Sequence, residues 1–152
     1  MDVEQMIWLA AIETGYARDG QWIPWADAKI IQLDEPPLWL LQVCVQQTTE
    51  EAIRVLGPTS YEDRIRVRIG FMYLTYERDK TELLPLLSEA CRLTEEHDDF
   101  RMECREFWTL EKEAAERPAF VPGYRPLADR VAKAFKPFSD LARRMWSKLH
   151  GE

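Results

Sequence analysis

The residues best suited to chemistry lie in the segment 95–99, which reads Glu-Glu-His-Asp-Asp. Such a run could hold a divalent cation or transfer protons in acid–base catalysis. Consecutive residues on a helix point in different directions, however, so the five side chains cannot converge on one ion. Capping and solvated surface at a helix boundary explain the run more simply. A small carboxylate-based enzyme or metal-binding protein that uses Glu95, His97 and Asp98 is therefore the third of three functional hypotheses.

The other sequence motifs give little support for catalysis or for cofactor binding. The chain contains no glycine-rich nucleotide-binding pattern, no nucleophile elbow and no His-Glu-x-x-His motif. Its histidines are His97 and His150. Its cysteines, Cys44, Cys91 and Cys104, include no C-x-x-C pair and lack the spacing of zinc ligands. We therefore expect a non-enzymatic protein with no metal and no cofactor, whose thiols stay free in a reducing compartment.

Tryptophans and acids are concentrated in the first forty residues, and they suggest a binding surface. Acids can steer the approach of a basic partner, and tryptophans can anchor it. The candidate contact set is Trp22, Trp25, Asp27, Asp34 and Glu35. The alternative is that these tryptophans belong to the core. For Trp22 and Trp25, which flank a proline at a helix start, the two interpretations are evenly balanced.

The charge of the chain changes sign along its length. Residues 1–60 carry a net charge of −6, residues 61–120 carry −5 and residues 121–152 carry +4, within a total of −7. An acidic body favours a basic protein partner and repels nucleic acid. The basic C-terminal segment could contact nucleic acid or a membrane surface, but packing of its apolar stripe on the acidic body is favoured. Arg64, Arg66 and Arg68 fan out around a helix, so pairing within the chain is expected for them.

Apolar periodicity predicts an all-α protein, a single-domain array of six to eight short helices over residues 1–152. Residues 64–71 alternate like a strand, yet the length of the surrounding segment favours a helix. Capping boxes are predicted at Thr48 with Glu51 and at Ser60 with Asp63. One helix should end by Glu35, ahead of two prolines, and the apolar run that follows should point into the core.

The last part of the chain is predicted to be a linker followed by one long helix. Residues 117–126 hold three prolines and a glycine, which is typical of a linker. They lead to a docked, basic amphipathic C-terminal helix, which we expect Pro137 to kink or divide. The N-terminus carries acids where a signal peptide would be positive. No apolar run approaches the roughly 18 residues of a membrane span, so we expect a cytoplasmic protein that does not bind membranes.

Residues 25–56, from Trp-Ala-Asp through the acid–Pro–Pro–aromatic corner to Glu-Glu-Ala, resemble a pattern in small helical bacterial proteins. Some small acidic helical proteins of this sort resemble immunity proteins, the antidotes encoded beside toxins. The resemblance implies an inhibitor that neutralises a toxin or another basic protein, which is the leading hypothesis. The second hypothesis is a structural or regulatory adaptor that self-associates, as a homodimer for example, with the C-terminal helix as its docking element.

Overall fold

A computed structural model describes residues 2–57, 62–116 and 125–152. Within these ranges the chain forms eight α-helices and one short 3₁₀ helix, Asp98–Phe100, and it contains no strand. The α-helices are α1 (Val3–Glu13), α2 (Trp22–Gln32), α3 (Leu38–Val43), α4 (Thr49–Leu56), α5 (Glu62–Asp79), α6 (Leu83–Glu95), α7 (Arg101–Glu116) and α8 (Arg125–Leu149). The predicted all-α fold is confirmed.

Capping residues in the sequence define the ends of several helices. Before α1, a carboxylate oxygen of Asp2 accepts the backbone N–H of Glu4 at 3.0 Å. Before α4, the Thr48 hydroxyl accepts the backbone N–H of Glu51 at 3.2 Å, so this predicted capping box is confirmed. Gly57 ends α4 with a φ of 75°, a conformation that glycine adopts without strain. The second predicted capping box, Ser60 with Asp63, and residues 117–124 of the predicted linker lie outside the described residues.

Residues 64–71, which alternate like a strand in the sequence, belong to helix α5. Its helical period places Arg64 and Arg68 one turn apart, and both guanidinium groups reach the carboxylate of Glu13 on α1, at 2.7 Å and 2.9 Å. Arg66 faces elsewhere and lies over the ring of Phe100, 4.7 Å from its centroid. Two of the three arginines therefore pair with a carboxylate of the same chain, as expected.

The long helix α8 is part of the core. It packs along α5, and its buried apolar side chains belong to both hydrophobic clusters of the molecule. A Cβ added at Gly70 of α5 would lie 2.2 Å from the carbonyl oxygen of Phe138, so only glycine fits this close approach. The helix runs through Pro137 without being divided. No helix among the described residues combines the length and the apolar character that crossing a membrane requires.

Candidate protein-binding surface

Helices α2 and α3 meet at an exposed corner, residues 27–45, which we call the α2–α3 corner. Helix α2 ends at Gln32 because Leu33 adopts an extended conformation, with φ −100° and ψ 133°. Pro37 then precedes α3 with φ −65° and ψ 151°, so the chain turns before it can become helical again. The prolines therefore set the corner, in agreement with the helix end predicted by Glu35.

The structure corrects the role of Trp22 in the predicted contact set. Its side chain is completely buried, and its indole N–H donates to the carbonyl oxygens of Val43 and Gln46, each at 3.1 Å. These bonds hold the end of α3 against α2. Trp22 therefore cannot contact a partner from the surface, and it acts by positioning the corner.

Trp25 is half-buried and joins the corner to the end of α8. Its indole N–H donates to the carbonyl oxygen of Leu149 at 3.1 Å. Its ring stacks on Trp39 with a centroid distance of 6.3 Å, and it contacts Trp8 at 5.4 Å. The indole nitrogens of Trp8 and Trp39 are both buried and have no hydrogen-bond partner within the part of the chain that is described. Most of the N-terminal aromatic surface thus serves packing.

The three predicted acids of the corner are exposed and uncompensated. Asp27, Asp34 and Glu35 form neither an ion pair nor a side-chain hydrogen bond with any residue in the described ranges. The nearby cations already have carboxylate neighbours, since Lys29 lies 3.0 Å from Glu4 and Arg54 lies 3.7 Å from Glu50. Within the part of the chain that the structure describes, no ion pair neutralises the negative charge of the corner.

An exposed apolar surface at the corner was missed by the sequence interpretation. Among the described residues, five of the nine large hydrophobic side chains that are exposed lie between positions 31 and 45. The most exposed are Ile31 at 85%, Leu38 at 68% and Val45 at 66%. The others are Leu41 and Leu33.

The apolar run of α3 was expected to point into the core, but only Leu40 and Val43 are fully buried. A six-residue helix that packs on one side cannot bury every side chain of an apolar run. An apolar run in so short a helix could therefore have indicated from the sequence that part of the run is exposed.

The residues of the third hypothesis lie together in a groove between α6 and α7. Glu95, His97 and Asp98 line it beside Cys91 and Cys104. No group of three histidine, cysteine, aspartate or glutamate side chains in the described ranges is placed to hold a metal ion. Burial, followed by the neighbouring Glu111 carboxylate, raises the pKa of the Cys91 thiol to about 12, which suppresses the reactive thiolate. The Cys91 thiol is therefore a poor nucleophile at neutral pH.

Comparison of the chain with protein-family models, curated proteins and solved structures gives no match. The resemblance of residues 25–56 to immunity proteins therefore stays a hypothesis. The function is inferred from the geometry of the chain itself.

Proposed function

We propose that this protein is a non-enzymatic binding protein whose α2–α3 corner captures a basic protein partner, acting as an immunity-type inhibitor of a toxin. The observation that carries the proposal is that five exposed aliphatic side chains lie at one corner with three carboxylates that pair with no described residue. Concentrated exposed apolar surface rimmed by polar groups is typical of a protein–protein interface.

The two kinds of residue would contribute differently to binding. Burial of an aliphatic side chain such as Ile31 or Leu38 contributes about 1.5–3 kcal/mol relative to exposure. The carboxylates of Asp27, Asp34 and Glu35 would speed the encounter with a basic surface and restrict the choice of partner. Enzymes that act on anionic substrates present basic clefts, so an acidic corner of this kind suits the masking of such a cleft.

Two observations weigh against the self-associating adaptor as the first choice. Helix α8, its expected docking element, already buries its apolar stripe within the chain. A symmetric pair of α2–α3 corners would also bring the unpaired carboxylates of Asp34 and Glu35 towards those of the other copy. Like charges facing each other across an interface oppose association.

Co-expression with the products of neighbouring genes tests the proposal. We expect one basic neighbour to arrest growth alone, and to form a complex with this protein that restores growth and elutes as one species on size exclusion. The double variant Ile31→Ser/Leu38→Ser should weaken this complex by about 2–4 kcal/mol. The matched control is Met102→Ser, which removes an equally exposed side chain (83%) from α7.

Two results would contradict the proposal. The first is that no basic neighbour binds. The second is that the double variant binds and protects as well as the original chain. Raising the ionic strength provides a further check on the original chain. The rate at which it associates with its partner should fall, because salt screens the charges of the corner.

A further inference from the structure

The groove between α6 and α7 has the size and the mixed lining of a small-molecule site. Its volume is about 550 Å³, within the range of ligand pockets. Cys91 and Cys104 line it alongside Thr94, whose buried hydroxyl already donates to backbone carbonyl oxygens of α6. The opposite wall of the groove, on α7, carries Arg101, Cys104, Arg105 and Trp108.

Trp108, on that wall, differs from the other tryptophans of the chain. Its side chain is 58% exposed, whereas Trp8, Trp22, Trp25, Trp39 and Trp146 are all buried or half-buried. The ammonium group of Lys112 lies 5.5 Å from the centroid of its ring, a distance at which a cation interacts with an aromatic face. An indole that faces solvent inside a groove is a ready platform for stacking a planar group.

The cations of the α7 wall follow the same face of the helix as Trp108. Arg101, Arg105, Trp108 and Lys112 recur at helical spacing, so their side chains form one stripe. Arg105 and Lys112 make no ion pair with any described residue, and Arg101 lies 3.9 Å from Asp98, with both groups largely exposed. An exposed pair of this kind contributes little, so the stripe retains capacity for an anion.

We propose that the α6–α7 groove binds a small planar ligand that carries a single anionic group. The ring would stack on Trp108, and the anion would pair with the guanidinium group of Arg105, which offers a planar set of donors. Glu95 and Asp98 stand in the same groove and repel additional negative charge. They favour a ligand with one carboxylate or one monophosphate group and disfavour polyphosphates and nucleic acid. This site is independent of the α2–α3 corner.

Calorimetric titration of the full chain tests this site. The probes are 2-naphthoate and adenosine 5′-monophosphate, which share a planar ring with an anionic group and distinguish a carboxylate from a phosphate ligand. Neutral adenosine and adenosine 5′-triphosphate complete the series. At least one of the first two probes should bind at millimolar concentration or below, and the neutral and triphosphate compounds should bind more weakly. Arg105→Gln and Trp108→Ala should each reduce the affinity about tenfold.

Matched variants distinguish binding in this groove from a general effect of charge and from binding at the α2–α3 corner. Lys133→Gln removes one positive charge from α8, Met102→Ala removes an exposed side chain of α7 outside this groove, and both should leave the titration unchanged. The corner double variant Ile31→Ser/Leu38→Ser should also bind the probe normally. The proposal is overturned if neither 2-naphthoate nor adenosine 5′-monophosphate binds, if adenosine or its triphosphate binds best, or if Arg105→Gln and Trp108→Ala bind as the original chain does. Circular dichroism confirms folding of each variant.

Discussion

The α2–α3 corner and the α6–α7 groove are both exposed regions on helices, but they differ in shape, charge and aromatic content. At the corner, aliphatic side chains protrude beside Asp27, Asp34 and Glu35, and its tryptophans are turned inwards. In the groove, Trp108 is exposed beside Arg105, and Lys112 lies over its ring. The corner is suited to a large basic surface and the groove to a small anion.

The comparison shows that total charge does not determine what each surface can bind. The chain carries a net charge of −7, yet Lys29 and Arg54 each lie beside a carboxylate, whereas Arg105 and Lys112 form no ion pair with any described residue. Local pairing decides which charges are available to a partner.

The largest effect is expected from Gly70→Val, because Gly70 lies in the framework that supports both regions. The added side chain would overlap the carbonyl of Phe138 and the Cβ of Ala142, and backbone atoms cannot move aside cheaply. We expect a loss of unfolding free energy on the order of 3 kcal/mol or more, measured by urea denaturation. Ala128→Val, at an exposed position of α8, is the control and should change stability by about 0.5 kcal/mol. A Gly70→Val protein of undiminished stability would rule out the close approach of α5 and α8.

A smaller effect is expected from Trp22→Phe, which contrasts the buried tryptophan that positions the corner with the exposed tryptophan of the groove. The substitution removes the indole donor from the carbonyls of Val43 and Gln46, of which, among the described residues, only that of Val43 still accepts a backbone N–H, from Gln46, and it opens a small cavity. It should cost about 2 kcal/mol of unfolding free energy, whereas Trp108→Phe should cost less than about 0.5 kcal/mol. Hydrogen exchange of α3 should rise in the first variant only. An equal loss of unfolding free energy in the two variants would contradict the difference in burial between Trp22 and Trp108.

The smallest effect is expected on the pH dependence of stability, for which Glu89 is compared with Glu35. The hydrogen bond from Arg92 holds the pKa of Glu89 below its usual value of 4.5. Since the folded pKa is the lower one, the stabilisation is present above pH 4.5 and is lost as the pH falls towards the folded pKa.

Glu89→Gln should therefore reduce stability at neutral pH by less than about 1 kcal/mol, because the pair is partly exposed, and it should flatten the acid limb of the stability curve. Denaturation measured between neutral and acidic pH checks this. Glu35→Gln is the control, since Glu35 has no partner in the described ranges, and it should leave neutral stability within about 0.5 kcal/mol. A steeper acid limb in Glu89→Gln would contradict the assigned direction.

Most of the fold could be predicted from the sequence because its signals are local. The Thr48–Glu51 capping box and Gly57 define α4, and two prolines separate α2 from α3. Helical spacing along residues 62–79 prevailed over the strand-like alternation in the same segment. Pro137 was expected to kink or divide α8, and it does not divide the helix, because packing along α5 stabilises a helix that proline weakens locally.

The candidate site was predicted only in part. Asp27, Asp34 and Glu35 are exposed as the binding hypothesis requires, but Trp22 is buried and the aliphatic surface of Ile31 and Leu38 was not anticipated. A sequence shows that a side chain is apolar without showing whether a neighbouring helix will cover it. The groove was likewise hidden, since Trp108 looks like any other apolar residue on an amphipathic helix.

The sequence by itself determined the helices, their ends and the uneven distribution of charge, because capping, proline geometry and side-chain charge act over a few residues. The tertiary structure alone decided which tryptophans are buried and which carboxylates and cations are left unpaired. Those outcomes depend on contacts between residues far apart in the chain, such as the bond from Trp25 to Leu149. Burial and charge pairing are properties of the packed molecule, and they define both surfaces proposed for binding.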